Sequence, residues 1–339
     1  MQEINNGGSM KQFFLTMSFV FGLALLLSCN TACGTEKITS SSFEKTLCLV
    51  NWNVETFFDS VTDGNEYDEY KSSDWGHDAY VERLKRLASV IRALDADIFV
   101  MEELENEGVL FDLYNFLSDE WDSKKIYQYA CFAKDANSSI GCGLLSRYPL
   151  RDMSVHALDV RTEAESMPSM RPLLQVSVDT DGKVVQLLVS HWKSMLGGEE
   201  KTELWRNWQE SVLYSAFERN GTEQAVVACG DYNRDVSHFA EGSKKSCVRL
   251  RSALSDKSLD VVTGWNDPNG STVQPGSYYY DGWSRIDNFF TGGTARIVSF
   301  APATDGPWCD SESKIPLGYK IWSGKGYSDH LPVRCVIAY

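Results

Sequence analysis

The sequence predicts an α/β (α+β) fold in which β-sheets are covered by helices, and three observations lead to that prediction. The chain has 339 residues, of which 43% are hydrophobic and 23% charged, so it can bury a sizeable core and is not disordered, collagen-like or coiled-coil. Short apolar runs alternate with segments of helical periodicity. Neither a repeat nor a low-complexity tract follows Thr46, so residues 45–339 are expected to form one domain.

Hydrophobic periodicity assigns the elements in chain order. Apolar side chains at positions 80, 84, 87, 88, 91 and 94 recur at 3.6-residue spacing, as do those at 205, 208, 212 and 216, and each set predicts a helix. Strands are predicted from apolar or β-like runs at residues 46–52, 98–101, 127–132, 141–145, 173–178, 184–190, 225–229, 286–290 and 331–338. This alternation of strands and helices favours sheets packed beneath helices.

The N-terminal segment is predicted to be a targeting signal. Its apolar run of 15 residues, 13–27, is shorter than the roughly 20 residues of a membrane-spanning helix. The Leu-Leu-Ser-Cys sequence ending at Cys29 resembles the lipobox of bacterial lipoproteins. That resemblance implies a signal peptide at residues 1–28, a lipid on Cys29, a tether at residues 29–44, and export to the cell membrane or to the outer membrane and periplasm. An ordinary secretory signal cleaved nearby is the alternative.

The charge of the chain limits how it can bind a polyanion. Asp and Glu number 47 against 32 Lys and Arg, which gives a formal net charge of −15. An extended basic surface for nucleic acid is therefore excluded. A polyanionic substrate would require a divalent cation and a few focused Arg or Lys side chains to reverse the field inside one cleft.

Nine cysteines suit an exported chain, because disulfides persist outside the cytoplasm. Cys131 and Cys142 lie on the two strands predicted at 127–132 and 141–145. A disulfide between them is one option, and buried free thiols are the other. The absence of any CxxC pair from the sequence argues against a zinc site.

Polar residues follow one apolar run after another, at the point where each predicted strand ends. One such residue is ordinary, because Asp and Asn favour turns and caps. The ends or beginnings of six predicted strands carry them, however, and that constellation predicts one functional site. The residues are Asn53, Glu103, His191, Asp231, Asn233, Asp287, Asp329 and His330.

Six sequence blocks carry a family resemblance. They are Trp52-Asn53-Val54, Met101-Glu102-Glu103, Ser190-His191-Trp192-Lys193-Ser194, Gly230-Asp231-Tyr232-Asn233, Arg285-Ile286-Asp287 and Ser328-Asp329-His330. In order and spacing, over residues 46–338, they resemble the endonuclease/exonuclease/phosphatase superfamily. The resemblance implies a hydrolase acting on phosphate ester bonds. It also implies a four-layer αββα sandwich of two packed, mixed, mostly antiparallel sheets with helices outside.

The resemblance implies a magnesium site. Cleavage of a phosphodiester requires an activated water and neutralisation of the charge on phosphorus. Hard oxygen ligands favour Mg²⁺, with Mn²⁺ or Ca²⁺ as alternatives. The expected ligands are Glu103, Asn53 and Asp329.

Catalytic roles are assigned to the remaining residues by the same resemblance. Asp287 is expected to fix the imidazole of His330, and Asp231 and His330 are assigned jointly to the removal of a proton from water. Asn233 and His191 are expected to donate hydrogen bonds to nonbridging phosphate oxygens.

Two acids and two acidic segments need separate interpretation. Glu102 stands where the family commonly has Gln, and because adjacent strand residues point to opposite faces, we expect a supporting or loop-facing position rather than a ligand. Glu55 is a further candidate near the metal. Residues 231–242 begin like an EF-hand loop but lack its Gly and final Glu. The acidic stretch at 59–74 is expected to be a solvated insert rather than a calcium loop.

The substrate is predicted from the segment at 191–198, which resembles that of secreted bacterial nucleases in the superfamily. We therefore expect DNA or RNA as the substrate and no protein partner. Candidate phosphate contacts are Lys193, Arg171, Arg147 and Arg206. Candidates for stacking on a base are Trp283 and the tyrosines at 278–280.

Two alternative functions stay open. A sphingomyelinase, or another phospholipid or phosphoinositide phosphohydrolase, would share the catalytic core, because the fold does not decide the substrate. An exposed apolar hairpin beside the cleft would favour it. An inactive surface adhesin or scaffold belongs to another class, and the complete set of site residues argues against it.

Overall fold

Two β-sheets form the centre of the protein in the computed structural model, which describes residues 44–120, 125–161, 166–267 and 271–339. The spatial order of the first sheet is β15 (Arg296–Pro302), β16 (Val333–Ala338), β1 (Thr46–Phe57), β2 (Ile98–Leu104), β4 (Gly141–Ser146) and β3 (Tyr129–Ala133). The central strand β1 is buried on both faces, as its long apolar run predicts.

The second sheet is larger. Its spatial order is β5 (Leu150–His156), β6 (Leu173–Asp179), β7 (Val184–His191), β8 (Ala225–Asp231), β14 (Asp287–Gly293), β11 (Ser258–Thr263), β10 (Cys247–Arg251) and β9 (Ala240–Glu241). In each sheet one pair is parallel, β1 with β2 and β7 with β8, and the other pairs of these strands are antiparallel. A separate hairpin consists of β12 (Tyr278–Tyr279) and β13 (Trp283–Ser284).

Helices cover the outer faces of both sheets. They are α1 (Asp68–Ser72), α2 (His77–Leu94), α3 (Glu107–Glu120), α4 (Glu199–Asn220) and a 3₁₀ turn at Val236–His238. Tyr80, Leu87 and Ile91 of α2 pack with α3 on the first sheet. Leu213 and Phe217 of α4 pack on the second sheet. Alternate strand residues such as Leu187 fill the space between the sheets. The predicted four-layer αββα sandwich is confirmed.

Several elements differ from the hydrophobic pattern. Strand β1 continues to Phe57, beyond the predicted 46–52. Strands β5 and β15 are not revealed by apolar runs, because they lie at sheet edges with most side chains exposed. The segment at 59–74 is largely exposed, as expected of a solvated insert, although it contains α1 and buries Glu66 and Tyr70.

The cysteines of the described segments are free thiols, including Cys131 and Cys142. These two are out of register, because Cys131 lies opposite Leu144 and Cys142 opposite Ala133. Among the described helices, none has both the length and the apolar character needed to cross a membrane. The predicted signal peptide, the lipidation site Cys29 and all of the tether before Glu44 lie outside the described residues.

Candidate active site

Strand alternation aims several polar side chains at one end of the space between the sheets. Residues two apart on a strand share a face, so the inner face of β7 passes through Val189 and ends at His191. Asp231 ends β8 in the same way, and Asp287 begins the antiparallel β14. In register, Asp231 lies opposite both His191 and Asp287. The three residues therefore stand side by side on adjacent strands, as their positions at strand ends predict.

Glu103 reaches the same site because its backbone leaves regular strand geometry. Simple alternation would point it to the helix side of the sheet with Met101. Its φ of 67° and a register shift between β1 and β2 turn the carboxylate into the cleft. There Oε2 accepts a hydrogen bond from the Thr56 N–H at 2.8 Å, and Oε1 accepts one from Asn53 Nδ2 at 3.1 Å. The contact with Thr56 is not signalled by the sequence.

Glu102 occupies the inner-face position instead and is fully buried. Its Oε2 accepts a hydrogen bond from Asn51 Nδ2 at 3.4 Å, whereas Oε1 has no partner among the described residues. Burial, and then the charges of Asp287 and Asp231, raise the pKa of Glu102 well above its usual value. The supporting position is the one Glu102 takes, and the loop-facing alternative is wrong.

The loop before β16 supplies Asp329 and His330 and is tied to β1 by hydrogen bonds at Ser328 and at His330. Ser328 Oγ donates to the Asn53 carbonyl at 2.6 Å and accepts from the His330 N–H at 3.0 Å. Trp52 Nε1 donates to the His330 carbonyl at 3.0 Å. Ser328 lies in a motif that the sequence reveals, but its function as a link to β1 is visible only in the structure.

The imidazole of His330 is surrounded by carboxylates. Its Nδ1 donates to Asp287 Oδ2 at 2.8 Å, and its Nε2 lies 3.9 Å from Asp231 Oδ2 and 4.0 Å from Asp329 Oδ1. Burial alone lowers the pKa of His330, but the charges of Asp287, Asp329 and Asp231 outweigh it and raise the pKa well above its usual value. The protonated imidazolium is therefore favoured.

Both carboxylate oxygens of Asp231 are hydrogen-bonded. Oδ1 accepts from the Asn233 N–H at 2.8 Å, and Oδ2 accepts from Asn53 Nδ2 at 3.1 Å and from Asn233 Nδ2 at 3.2 Å. Burial, followed by the charge of Asp287, raises the pKa of Asp231 to about 7. A carboxylate with a pKa near neutrality is suited to accept a proton from water.

His191 is also buried, but its neutral form is favoured. Its Nε2 lies 3.6 Å from Asp231 Oδ2 and 3.8 Å from Glu103 Oε1. Burial, then the positive charges of Arg171 and His330, lower the pKa of His191 well below its usual value. A neutral imidazole keeps one N–H, so His191 can donate a single hydrogen bond to a bound anion.

The cleft is rich in oxygen ligands. Its carboxylates are those of Glu55, Glu103, Asp231 and Asp329. Glu55 Oε2 accepts from the N–H groups of Tyr319 at 2.6 Å and Asp329 at 3.0 Å. Burial and then the charge of Asp329 raise the pKa of Glu55 to about 7. Asp231, Asp287 and His330 also cluster within 4.8 Å, but His330 Nδ1 is bonded to Asp287, so the oxygen donors of the cleft are its carboxylates. This donor set fits a hard divalent cation.

The cleft has a volume of about 680 Å³ and combines two cations with an apolar rim. Lys193 and Arg171 line it, as predicted from the sequence. Arg171 donates from Nε to the His191 carbonyl at 3.1 Å, and it also donates to the Trp192 carbonyl. At the rim Leu196 is 84% exposed.

Arg147 and Arg206 lie away from the cleft, which corrects their assignment as phosphate contacts. Arg147 follows β4, which runs antiparallel to β2 and so ends at the opposite side of the sheet, where Arg147 pairs with Asp95 at 2.6 Å. Arg206 is a fully buried residue of α4 and donates to the Lys193 carbonyl at 3.2 Å.

The β12–β13 hairpin brings aromatic rings to the site. The ring of Tyr278 lies 4.8 Å from that of His330, measured between centroids. Tyr280, at the turn of the hairpin, is 75% exposed and lines the cleft. Trp283 is half-buried against Tyr279 with ring centroids 5.2 Å apart. Tyr280 is therefore the aromatic candidate with a free face.

Solved structures with the same fold are distant in sequence. Humanized D. rerio TDP2 with 14 mutations is 15% identical, with a TM-score of 0.55, and the match covers 86% of this chain and 98% of that one. D. rerio TDP2 complexed with a single strand DNA product is 16% identical, with a TM-score of 0.51 and coverages of 86% and 98%. An endonuclease/exonuclease/phosphatase family protein from Bacteroides thetaiotaomicron is 15% identical, with a TM-score of 0.51 and coverages of 87% and 98%.

A family model gives the stronger relationship. No curated protein matches the chain. The model described as "Endonuclease/Exonuclease/phosphatase family" matches residues 48–289, a segment that holds Asn53, Glu103 and Asp231 and spans well over half of the chain. With the sandwich and the convergent site, this match shows that the chain belongs to the endonuclease/exonuclease/phosphatase family of hydrolases that act on phosphodiester bonds.

Proposed function

We propose that the protein is a divalent-metal-dependent nuclease that hydrolyses DNA or RNA outside the cytoplasm. The observation that carries the catalytic part is the convergence of Asp287, His330 and Asp231, with contacts of 2.8 Å and 3.9 Å to the two imidazole nitrogens. A buried acid–imidazole pair beside a second carboxylate can move a proton at a phosphate.

Asp231 and His330 act together on the attacking water and the phosphate. Asp231, with its pKa near neutrality, receives the proton of the attacking water, and the imidazolium of His330 faces the phosphate and stabilises its developing charge. The pair is assigned together because His330 Nε2 lies 3.9 Å from Asp231 Oδ2, so both groups face the same reacting atoms. His191 and Asn233 donate hydrogen bonds to the nonbridging oxygens.

Glu103, Asn53 and Asp329 are the residues proposed to hold Mg²⁺, with Mn²⁺ or Ca²⁺ as alternatives. When bound, the ion neutralises charge on the phosphate oxygens and polarises the P–O bond. Asn53 Nδ2 lies 3.1 Å from both Glu103 Oε1 and Asp231 Oδ2. Asn53 therefore keeps the metal-binding acid and the catalytic acid at a fixed separation.

A polynucleotide substrate is supported by the walls of the cleft. Lys193 and Arg171 supply positive charge next to the catalytic acids. Tyr280 offers an exposed ring on which an unpaired base can stack. A solved relative of the same fold, D. rerio TDP2, is described with a single strand DNA product.

A lipid-directed phosphodiesterase, such as a sphingomyelinase or a phosphoinositide phosphohydrolase, is the second candidate function. The specific observation in its favour is the exposed side chain of Leu196 at the cleft rim, in the segment that also holds Met195. An apolar rim residue can contact acyl chains at a membrane surface. An inactive adhesin or scaffold would have no need of the His330–Asp287 contact.

We also propose that the chain is exported and held at a membrane by a lipid on Cys29. The support is the 15-residue apolar run at 13–27 followed by Leu-Leu-Ser-Cys. A lipid on the N-terminus would anchor the chain in the membrane and leave the catalytic domain outside the cytoplasm.

The decisive experiment offers plasmid DNA, RNA oligonucleotides, sphingomyelin and a phosphoinositide to the purified domain at residues 45–339, with Mg²⁺ and with a chelator. We expect hydrolysis of nucleic acid that stops when the chelator is added. The variants Asp231→Ala and His330→Ala should each reduce kcat by a factor on the order of 10³, because the first removes the proton acceptor and the second removes the imidazolium that stabilises the phosphate charge.

A control variant, Ser154→Ala on the exposed strand β5, should retain wild-type activity. Hydrolysis of sphingomyelin alone would favour the second candidate. Full activity of Asp231→Ala or His330→Ala would exclude the proposed mechanism, and the absence of activity on all four substrates would favour a scaffold.

A further inference from the structure

We propose that helix α4 sets the position of the phosphate-binding cations, and that Gln209 is the positioning residue through which it acts. The inference rests on the proposed function, because it requires Lys193 and Arg171 to contact a substrate phosphate. Gln209 itself lies behind the cleft wall and touches no substrate.

The side-chain amide of Gln209 joins the backbones of both cations. Gln209 is 4% exposed on the inner face of α4. Its Oε1 accepts a hydrogen bond from the Lys193 N–H at 2.7 Å, and its Nε2 donates to the Arg171 carbonyl at 3.4 Å. One buried amide therefore links Arg171, which precedes β6, to Lys193, which follows β7.

Arg206, one turn earlier on α4, binds the carbonyl of Lys193, whose N–H is bound by Gln209. Its Nη1 donates to the Lys193 carbonyl at 3.2 Å and to Thr202 Oγ1 at 2.8 Å, and its Nε donates to Glu203 at 2.9 Å. The N–H and the C=O of Lys193 are thus both bonded to side chains of α4. The buried Arg206, expected from the sequence to touch phosphate, contacts the backbone of Lys193 instead.

Arg171 extends this support to the end of β7. Its guanidinium donates to the carbonyls of His191 and Trp192. The loop that follows has left-handed glycines at Gly197 and Gly198, with φ of 95° and 117°, so it has little rigidity of its own. A lysine ammonium on a flexible stem can bind a phosphate in one place only if its backbone is fixed. The contacts from α4 supply that fixation.

A purely structural function for Gln209 makes a different prediction. Loss of two buried hydrogen bonds would then lower the melting temperature without changing substrate binding. Positioning predicts instead that KM and the inhibition constant of inorganic phosphate rise together. The two functions are therefore separable by measurement.

The test compares Gln209→Met, which removes both hydrogen bonds at similar volume, with Gln209→Glu, which keeps the acceptor for the Lys193 N–H. The readouts are kcat and KM for bis(p-nitrophenyl) phosphate and for a single-stranded oligonucleotide, and inhibition by inorganic phosphate, all with Mg²⁺. We expect Gln209→Met to raise KM and the inhibition constant by about tenfold and Gln209→Glu by less than about threefold. The matched control is Gln186→Met on β7, whose amide bonds Ser177 and Gln175, and it should behave as wild type.

A double-mutant cycle with Lys193→Met completes the test. If Gln209 acts through Lys193 and Arg171, adding Gln209→Met to Lys193→Met should raise KM by less than it does in the wild type, because only the support of Arg171 is left to lose. Fully additive effects, or a lower melting temperature with unchanged KM, would overturn the proposal. If Gln209→Met does not fold, a KM for Gln209→Glu as high as that of Lys193→Met would overturn it.

Failure of the proposed function has a different signature. If neither bis(p-nitrophenyl) phosphate nor an oligonucleotide is hydrolysed, calorimetric binding of inorganic phosphate to the same variants still tests the positioning. A weaker phosphate affinity in Gln209→Met than in Gln186→Met would support it, and equal affinities would refute it.

Discussion

His330 and His191 show that burial alone does not set the charge of a histidine. Both imidazoles are buried at the same end of the sandwich. His330 faces Asp287, Asp329 and Asp231 and its pKa is raised, whereas His191 is near Arg171 and its pKa is lowered. One small site therefore favours the cationic form of one imidazole and the neutral form of the other. The pair can stabilise phosphate charge and donate a neutral hydrogen bond at the same time.

The protonation of His330 should depend on Asp287. In the metal-free protein we expect His330 to stay protonated above pH 7, and Asp287→Asn to lower its pKa because the nearest carboxylate charge is lost. A raised folded-state pKa contributes stability below the unfolded value of about 6.5, and that contribution disappears as pH rises through the folded pKa. The stability difference between wild type and Asp287→Asn should therefore be larger at pH 6 than at pH 9.

The measurements are the NMR titration of His330 Hε1 and urea unfolding at the two pH values. Asp287→Glu serves as the control, because it keeps the charge. An Hε1 titration unaltered by Asp287→Asn would contradict the assignment of the raised pKa to this contact.

At the scale of the element, the sequence predicts those site residues whose side chains follow the regular alternation of a β-strand. His191, Asp231 and Asp287 end or begin strands whose inner faces are apolar, so their convergence follows from alternation. Glu103 breaks that period through its own left-handed backbone, so its position at a strand end, and not alternation, predicted its place in the site. The location of Arg147 away from the cleft could not be predicted from the sequence, because the order and direction of the strands decide at which end of the sheet each strand finishes.

The β12–β13 hairpin should contribute to substrate binding through Tyr280. Loss of one base–aromatic stack is worth about 1–3 kcal/mol, so we expect Tyr280→Ala to raise KM for single-stranded oligonucleotides by a factor on the order of 10, with little change in kcat. Tyr280→Phe should retain binding. For an oligonucleotide with an abasic nucleotide beside the cleaved bond, wild type and Tyr280→Ala should have the same KM, because there is no base to stack.

The control for this hairpin is Trp322→Ala, because Trp322 is 70% exposed but is not among the residues that line the cleft. It should leave KM unchanged. Equal effects of Tyr280→Ala and Trp322→Ala would show that general surface changes, rather than stacking, govern KM.

At the scale of the whole molecule, the proposed lipid anchor predicts the partitioning of the full chain. In bacterial cells, Cys29→Ser should abolish incorporation of labelled palmitate and move the protein from the detergent phase to the aqueous phase, because a serine side chain offers no thiol for lipid transfer. Cys33→Ser, a matched change four residues later, should have no effect. An unlipidated wild-type chain cleaved near Cys29 would support the ordinary secretory signal instead.

The charge of the molecule sets an upper limit on how tightly a polyanion can bind. The net charge is −15, and the cations in the cleft wall are Lys193 and Arg171. Arg147 and Arg206, which the sequence offered as further contacts, are held by Asp95 and by Glu203 with the Lys193 carbonyl. Binding should therefore involve few phosphates and release few counterions.

The salt dependence of binding should accordingly be shallow. For single strands the slope of log affinity against log salt is about −0.7 per neutralised phosphate, so two contacts predict a slope of about −1.4. The measurement is fluorescence anisotropy of a labelled oligonucleotide with Asp231→Ala, between about 50 and 200 mM salt. Lys193→Met should reduce the slope by about half, because one of two ionic contacts is lost. A slope steeper than about −4 would require a basic surface outside the cleft and would contradict the limited contact that the charge distribution predicts.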